Sequence, residues 1–233
     1  MSARRAVAKR AAAKRAAATP PTVLLTGFAP FGGEDVNPSW EAVRDLQGSR
    51  IAGHRIETRC LPVEFGASNA ALRRALAEVA PALVVCVGQA GGRAKISLER
   101  VAINVDDARI PDVAGRSPVD APIVARGPAA YFSTLPIKRL RAALAAAGLP
   151  AEVSQTAGTY VCNHVFYGLM HALRRRRGVR GGFVHIPYSP AQAARHPGAP
   201  ALDTEAVKAA LRIILRESLK HPDDLPIPLD AMH

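Results

Sequence analysis

The residue type in this chain best suited to nucleophilic chemistry is a cysteine placed where a helix begins. After the turn Thr156-Ala157-Gly158-Thr159, the positions Cys162, Val165, Phe166, Leu169 and Leu173 repeat at helical spacing, so the helix starts at or just before the thiol. There the sulfur faces unpaired backbone N–H groups and the positive end of the helix dipole, which lowers a thiol pKa and gives a nucleophilic thiolate. A histidine in reach would complete an ion pair, and His185 stands at the end of the apolar run Gly182-Phe183-Val184-His185-Ile186. His164, two residues from Cys162, would face elsewhere on a helix. Residue types alone favour the plainer account, a buried helix cysteine and a core histidine, because free cysteines are commonly buried and inert. Cys86, mid-strand among valines, reads as packing.

A second candidate is Gly88-Gln89-Ala90-Gly91-Gly92-Arg93, a glycine-rich loop with Arg93 as a cation for phosphate. It fits neither GxGxxG nor GxxxxGK[ST], so the phosphate-loop reading is weak.

These residues need a scaffold, and the sequence supplies one by alternating short apolar runs with amphipathic stretches, the pattern of a βαβ-rich α/β domain with a largely parallel sheet. Val23 to Thr26 reads as the first strand, leading into Gly27-Phe28-Ala29-Pro30-Phe31-Gly32-Gly33. Asn37 reads as a helix N-cap with Pro38 at the first helical position. Ile56 to Cys60 alternates as a second strand, Leu72, Leu76 and Val79 mark a helix, and Ala82 to Val87 is apolar on both faces, as a central parallel strand requires. Arg100 to Gly127 holds a strand candidate at Val101 to Val105 and then a long loop punctuated by Asp, Gly and Pro. Helices follow from Pro136, from Cys162 and after Asp203, with a strand near Val153 and another ending at His185. In open α/β sheets ligands gather beyond the carboxyl ends of the strands, where the GFAPFGG loop, the GQAGG loop, the turn before Cys162 and His185 all converge.

The 233 residues suffice for one compact domain without a disulfide or metal staple. The three cysteines, Cys60, Cys86 and Cys162, are far apart and form no CxxC or Cys/His ligand set, which argues against a disulfide framework and a zinc site and for a reducing, cytoplasmic setting. No apolar run approaches the roughly 18 residues of a membrane helix. Net charge is +12, but six of the cations (Arg4, Arg5, Lys9, Arg10, Lys14 and Arg15) lie in the first 20 residues. The expected organisation is therefore a disordered basic Ala/Lys/Arg-rich extension over residues 1–21, a single α/β domain over 22–220, and a Pro-containing tail over 221–233. Binding of nucleic acid through the tail is the less favoured use of that charge. The arginine run from Arg174 to Arg177 reads as a solvated helix end.

Several blocks, in order, carry more than spacing does: VLLTGFAPFGG with NPSWEAV, VCVGQAGGR with ISLERVAIN, ARIPD, GPAAYFSTLPIKR, TAGTYVCNHVFYGLM and RGGFVHIPY. From Val23 to about Leu219 the chain resembles the pyrrolidone-carboxylate peptidase (pyroglutamyl peptidase I) family of cysteine peptidases, which remove an N-terminal pyroglutamyl residue. The resemblance implies a three-layer αβα sandwich with a mostly parallel mixed sheet, related to the purine nucleoside phosphorylases. It implies a catalytic set of Glu99, Cys162 and His185, and no metal or organic cofactor. It points to Phe28, Phe31, Ile110, Tyr160 and Val161 as walls of an apolar slot for the neutral lactam, to backbone groups near Gln89 as partners of its amide, and to Arg109 as a candidate for stabilising the oxyanion. It also implies a peptide substrate and a homo-oligomer, a tetramer. Ala29 stands where the family usually has an acid and Tyr160 where a phenylalanine is common; a buried tyrosine hydroxyl there needs a partner. The competing readings are a nucleoside- or phosphate-binding relative on the same fold and a nucleic-acid-binding module.

Overall fold

The apolar runs become strands of one seven-stranded sheet in the computed structural model, which describes residues 20–228. The basic extension, up to residue 19, and residues 229–233 lie outside the described residues. The strands are β1 (Thr22–Phe28), β2 (Arg50–Ile51), β3 (His54–Leu61), β4 (Leu83–Gln89), β5 (Ile96–Glu99), β8 (Ala151–Ser154) and β9 (Arg180–Ile186), in the spatial order β2-β3-β1-β4-β9-β5-β8. β3, β1, β4 and β9 run parallel; β5 lies antiparallel to β9 and parallel to β8. A separate ribbon pairs β6 (Val101–Ile103) with β7 (Ala130–Phe132).

Side chains alternate across these strands and so divide the core in two. On one face Val23, Leu25, Leu83 and Val85 pack with helices α1 (Pro38–Arg44), α3 (Ile137–Ala146) and α6 (Thr204–Lys220), through Val43, Leu140, Leu144, Val207, Leu211, Ile214 and Leu215. On the other, Leu24, Val84 and Cys86 meet α2 (Ala67–Val79) and α4 (Val161–Leu173), through Leu72, Leu76, Val165, Phe166 and Leu169. The result is the three-layer αβα sandwich, with the short helix α5 (Pro190–Ala193) after β9.

Local chemistry sets the element ends. Asn37 caps α1, its side chain accepting from Ser39 N–H at 3.0 Å with Pro38 at N1, and Asp203 caps α6. The long loop between β6 and β7 is pinned by buried polar side chains. The Asn163 amide bonds Ile103 N–H and C=O and Val105 C=O, and the Asp112 carboxylate accepts the N–H groups of Phe65, Ala114 and Arg116. Part of the C-terminal segment is tied down as well, since Asp224 accepts the N–H groups of Lys138 and Arg139 at the start of α3. Strand β5 has no counterpart in the sequence reading. At four residues after a polar loop it offers too little periodicity to be told from loop, and pairing with β9 and β8 makes it a strand.

Candidate active site

His185 sits one residue before the end of β9, 3 % exposed. In the antiparallel pairing it faces Ser97 of β5, and Glu99, two residues farther along, lies diagonally across on the same face. That diagonal brings Glu99 Oε1 to 2.7 Å from His185 Nδ1. An ionised carboxylate only accepts, so with Glu99 ionised the proton of this contact sits on His185 Nδ1. On its other side His185 is in register with Gly88 of β4, and the missing side chain there makes room for Cys162, whose Sγ would stand 2.9 Å from a Cβ at that position. The thiol and the imidazole thus occupy the same face of the sheet, at the carboxyl ends of β4 and β9.

Cys162 is the second residue of α4, where backbone N–H groups have no partner within the helix. The sequence reading expects that position to keep the sulfur anionic. Desolvation opposes it: the thiol is pushed up to about 12, with the negative charge of Glu99 adding to the effect and Arg93 opposing it. The hydrogen bond of the His185 ring goes to Glu99, not to Sγ.

Cys162 and His185 share the wall of a cavity of about 410 Å³ with Phe31, Gln89, Arg93, Arg109, Ile110 and Tyr160. Phe28 and Val161, also expected as walls of the slot, are buried and line instead an adjoining apolar recess of only about 10 Å³, about the space of one water. Phe31, Gln89, Tyr160 and Cys162 border both spaces. The Tyr160 hydroxyl donates to Pro111 C=O at 3.0 Å, and its ring meets the edge of Phe65 at 5.4 Å between centroids, so the extra oxygen is satisfied outside the recess. Arg109 and Ile110 are exposed on the long loop at the cavity mouth.

Three polar side chains around the cavity have partners that the sequence does not show. Arg93, read as a phosphate cation, donates to Glu99 Oε1 at 2.7 Å and to Thr156 C=O at 2.9 Å, and so faces a carboxylate. Gln192, fully buried, joins Val36 C=O to the Gln89 side chain and thereby ties the Phe31 loop to the end of β4. His164 donates from Nδ1 to Asp106 at 2.8 Å and accepts Gly66 N–H on Nε2 at 2.9 Å, so both ring nitrogens are committed and neither is free to serve Cys162. No spacing signal marks Arg93 or Gln192, because both act across elements. Among the described residues no cluster of His, Cys, Asp and Glu could hold a metal ion, and no helix is long and apolar enough to cross a membrane.

A family model described as pyroglutamyl peptidase matches residues 21–220. The chain is 62% identical over 206 residues to pyrrolidone-carboxylate peptidase 1 of Ralstonia nicotianae, covering 88% of this chain and 96% of that one. It is 57% identical to the pyrrolidone-carboxylate peptidase of Klebsiella pneumoniae, covering 91% and 99%. Among solved structures, pyroglutamyl peptidase I of Bacillus amyloliquefaciens superposes with a TM-score of 0.87 at 48% identity, covering 90% of this chain and all of that one. The pyrrolidone carboxyl peptidase of Thermococcus litoralis gives 0.86 at 35%, with the same coverage.

Proposed function

The chain belongs to the pyroglutamyl peptidase family, and on that premise we propose that Cys162, His185 and Glu99 carry its reaction, hydrolysis of the amide bond that follows an N-terminal pyroglutamyl residue. The observation that carries this assignment is the 2.7 Å contact of Glu99 Oε1 with His185 Nδ1, on the face of the sheet that also presents the sulfur.

As the scissile carbonyl approaches, His185 Nε2 takes the thiol proton and Cys162 Sγ bonds to the carbonyl carbon. Glu99 holds the ring in the required tautomer and stabilises the imidazolium. The Cys162 N–H at the helix start faces the developing oxyanion, and Arg109 at the cavity mouth is a second donor for it. The imidazolium then returns its proton to the leaving amine as the C–N bond breaks, leaving a thioester. Water, deprotonated by the same nitrogen, attacks that thioester and releases pyroglutamate and the free thiol.

Specificity follows from what the site lacks. An ordinary peptide N-terminus brings a positive amine, which an apolar space between Phe28, Phe31, Tyr160 and Val161 cannot solvate, whereas the lactam is neutral. Backbone groups near Gln89 pair with the lactam amide, and leaving them unpaired is the basis for rejecting other rings. The recess is too small for the ring as it stands, so the lactam enters from the larger cavity and displaces the shared wall of Phe31 and Tyr160. The proposal includes a catalytic unit over residues 22–220, a cytoplasmic setting and a homotetramer, the last open to light scattering of the full chain.

Release of a chromophore from a pyroglutamyl amide by wild type and Cys162→Ser tests the assignment. Loss of release in the variant is expected; equal, iodoacetamide-insensitive rates would remove the nucleophile. A nucleoside or phosphate ligand is disfavoured because Arg93, the cation that reading requires, is already held by Glu99.

A further inference from the structure

Glu99 is fully buried and its two oxygens are unequal. Oε1 receives both His185 Nδ1 and Arg93 Nη1, each at 2.7 Å, while Oε2 is buried with no hydrogen-bond partner. A carboxylate in that position needs cationic company to stay charged, and Arg93 is the cation on it. The guanidinium is itself held from a third direction, by Thr156 C=O at 2.9 Å and Ser154 Oγ at 3.4 Å, at the end of β8 and the turn leading to Cys162. It therefore connects the β4–β5 loop, the residue that orients the imidazole and the approach to the nucleophile.

We propose that Arg93 is a positioning residue of the peptidase reaction, whose charge on Glu99 Oε1 keeps the Glu99–His185 pair from holding an extra proton and so leaves the imidazole available as a base. This rests on the roles proposed above for Glu99, Cys162 and His185. The proton balance of the pair is set by few groups. From β5 comes Glu99; from α4 the Cys162 thiol; from the β4–β5 loop Arg93; from the long loop Asp107 and Arg109 at the cavity wall. From its own strand the Phe183 ring packs against His185, 4.8 Å away between centroids, and the register partner on β4 is glycine. Glu152 of β8 is engaged by Ser97 Oγ at 2.9 Å. Arg93 is the cation among these in contact with the pair, so its removal leaves the carboxylate unbalanced. A proton then binds the pair more readily, whichever partner carries it, and two coupled groups report that as one apparent midpoint. Arg93 also offsets the repulsion between Glu99 and a thiolate on Cys162, which makes the same residue favourable to the attacking state.

The test compares the full-length wild type, Arg93→Gln and Arg93→Lys in two measurements: the pH dependence of kcat/KM on a pyroglutamyl amide, and the pH titration of the His185 ring signals by NMR without substrate. In Arg93→Gln the acid limb of kcat/KM and the ring titration both move to higher pH by about 1 to 3 units, the range of an opposite charge at this distance. Arg93→Lys, which keeps the charge and loses the fork, reverses most of that shift. Arg93→Met, which keeps the aliphatic stem, replaces Arg93→Gln if the latter does not fold. Lower activity at every pH with unmoved midpoints, or a lysine variant that titrates like the glutamine one, would overturn the proposal. The ring titration reads the charge balance directly, so it decides the inference even if the catalytic assignment were to fail in the turnover assay.

Discussion

Cys162 Sγ lies 2.9 Å from the point where a side chain on Gly88 would begin, and Phe183 Cζ lies 2.8 Å from the same point. The glycine is thus a receptacle for the nucleophile, and its position in register with His185 ties the sulfur to the imidazole through the backbone of the sheet. Gly88→Ala forces the sulfur or the Phe183 ring to move. Displacement of a reacting atom by about 1 Å costs roughly 100-fold in rate, and overpacking costs about 1 to 3 kcal/mol of stability. Steady-state kinetics and thermal unfolding of the variant check both; wild-type kcat would contradict the receptacle.

Glu99→Gln keeps the shape and removes the charge. An amide offers His185 Nδ1 either an oxygen or a donor, and the donor favours the tautomer that has already lost its basic Nε2. We expect kcat to fall by about 10³ to 10⁴, the scale seen when a triad carboxylate becomes an amide elsewhere. A loss below tenfold would reduce Glu99 to a packing residue.

The thiol of Cys162 is pushed up to about 12, first by burial and then by the Glu99 charge. The folded pKa is raised, so the uncharged form persists as pH rises through neutrality and a thiolate appears only in strongly alkaline solution. The ultraviolet thiolate absorbance of wild type minus Cys162→Ala, followed against pH without substrate, should show no step near neutrality. A step there would mean that the helix start prevails over burial and that a preformed ion pair exists.

Asp112 links the long loop to Phe65, whose ring lies against Tyr160 at the pocket. Burial works against its charge, but the N–H groups of Arg116, Phe65 and Ala114, with the Arg116 guanidinium, outweigh it and hold the carboxyl below the usual range. A depressed folded pKa contributes stability that is present above the unfolded value of about 3.9 and fades as pH falls through the lower folded value. Asp112→Asn should therefore cost roughly 1 to 3 kcal/mol at neutral pH, and the gap to wild type should narrow below about pH 4. Denaturant unfolding at both pH values measures it; a gap independent of pH would contradict the account.

How much of this was legible beforehand depends on range. The helix carrying Cys162 and the strand carrying His185 follow from local periodicity, as do the Asn37 and Asp203 caps. Residue types alone could not bring the two together. The pairing depends on β9 sitting between β4 and β5, a register that no local pattern encodes, and the block resemblance supplied Glu99 where periodicity did not mark β5 at all. The sequence offered Arg93 only as the cation of a weak phosphate-loop reading, and its partner is a carboxylate six residues on, brought back by the turn into β5. Phe28 and Phe31, three residues apart, both line the small recess, but Phe28 ends a buried strand while Phe31 stands in the wall shared with the larger cavity. At Cys162 two effects oppose each other, the helix start favouring an anionic sulfur and desolvation pushing the thiol up to about 12.

The most direct test is to catch the acyl group on the sulfur. Acid-quenching the enzyme during turnover of a pyroglutamyl ester, followed by peptide mapping in a mass spectrometer, should find one pyroglutamyl adduct on the peptide containing Cys162. It should be absent in Cys162→Ser and accumulate no faster than product in His185→Asn. Turnover with no adduct on Cys162, or an adduct on Cys60 or Cys86 instead, would contradict the account.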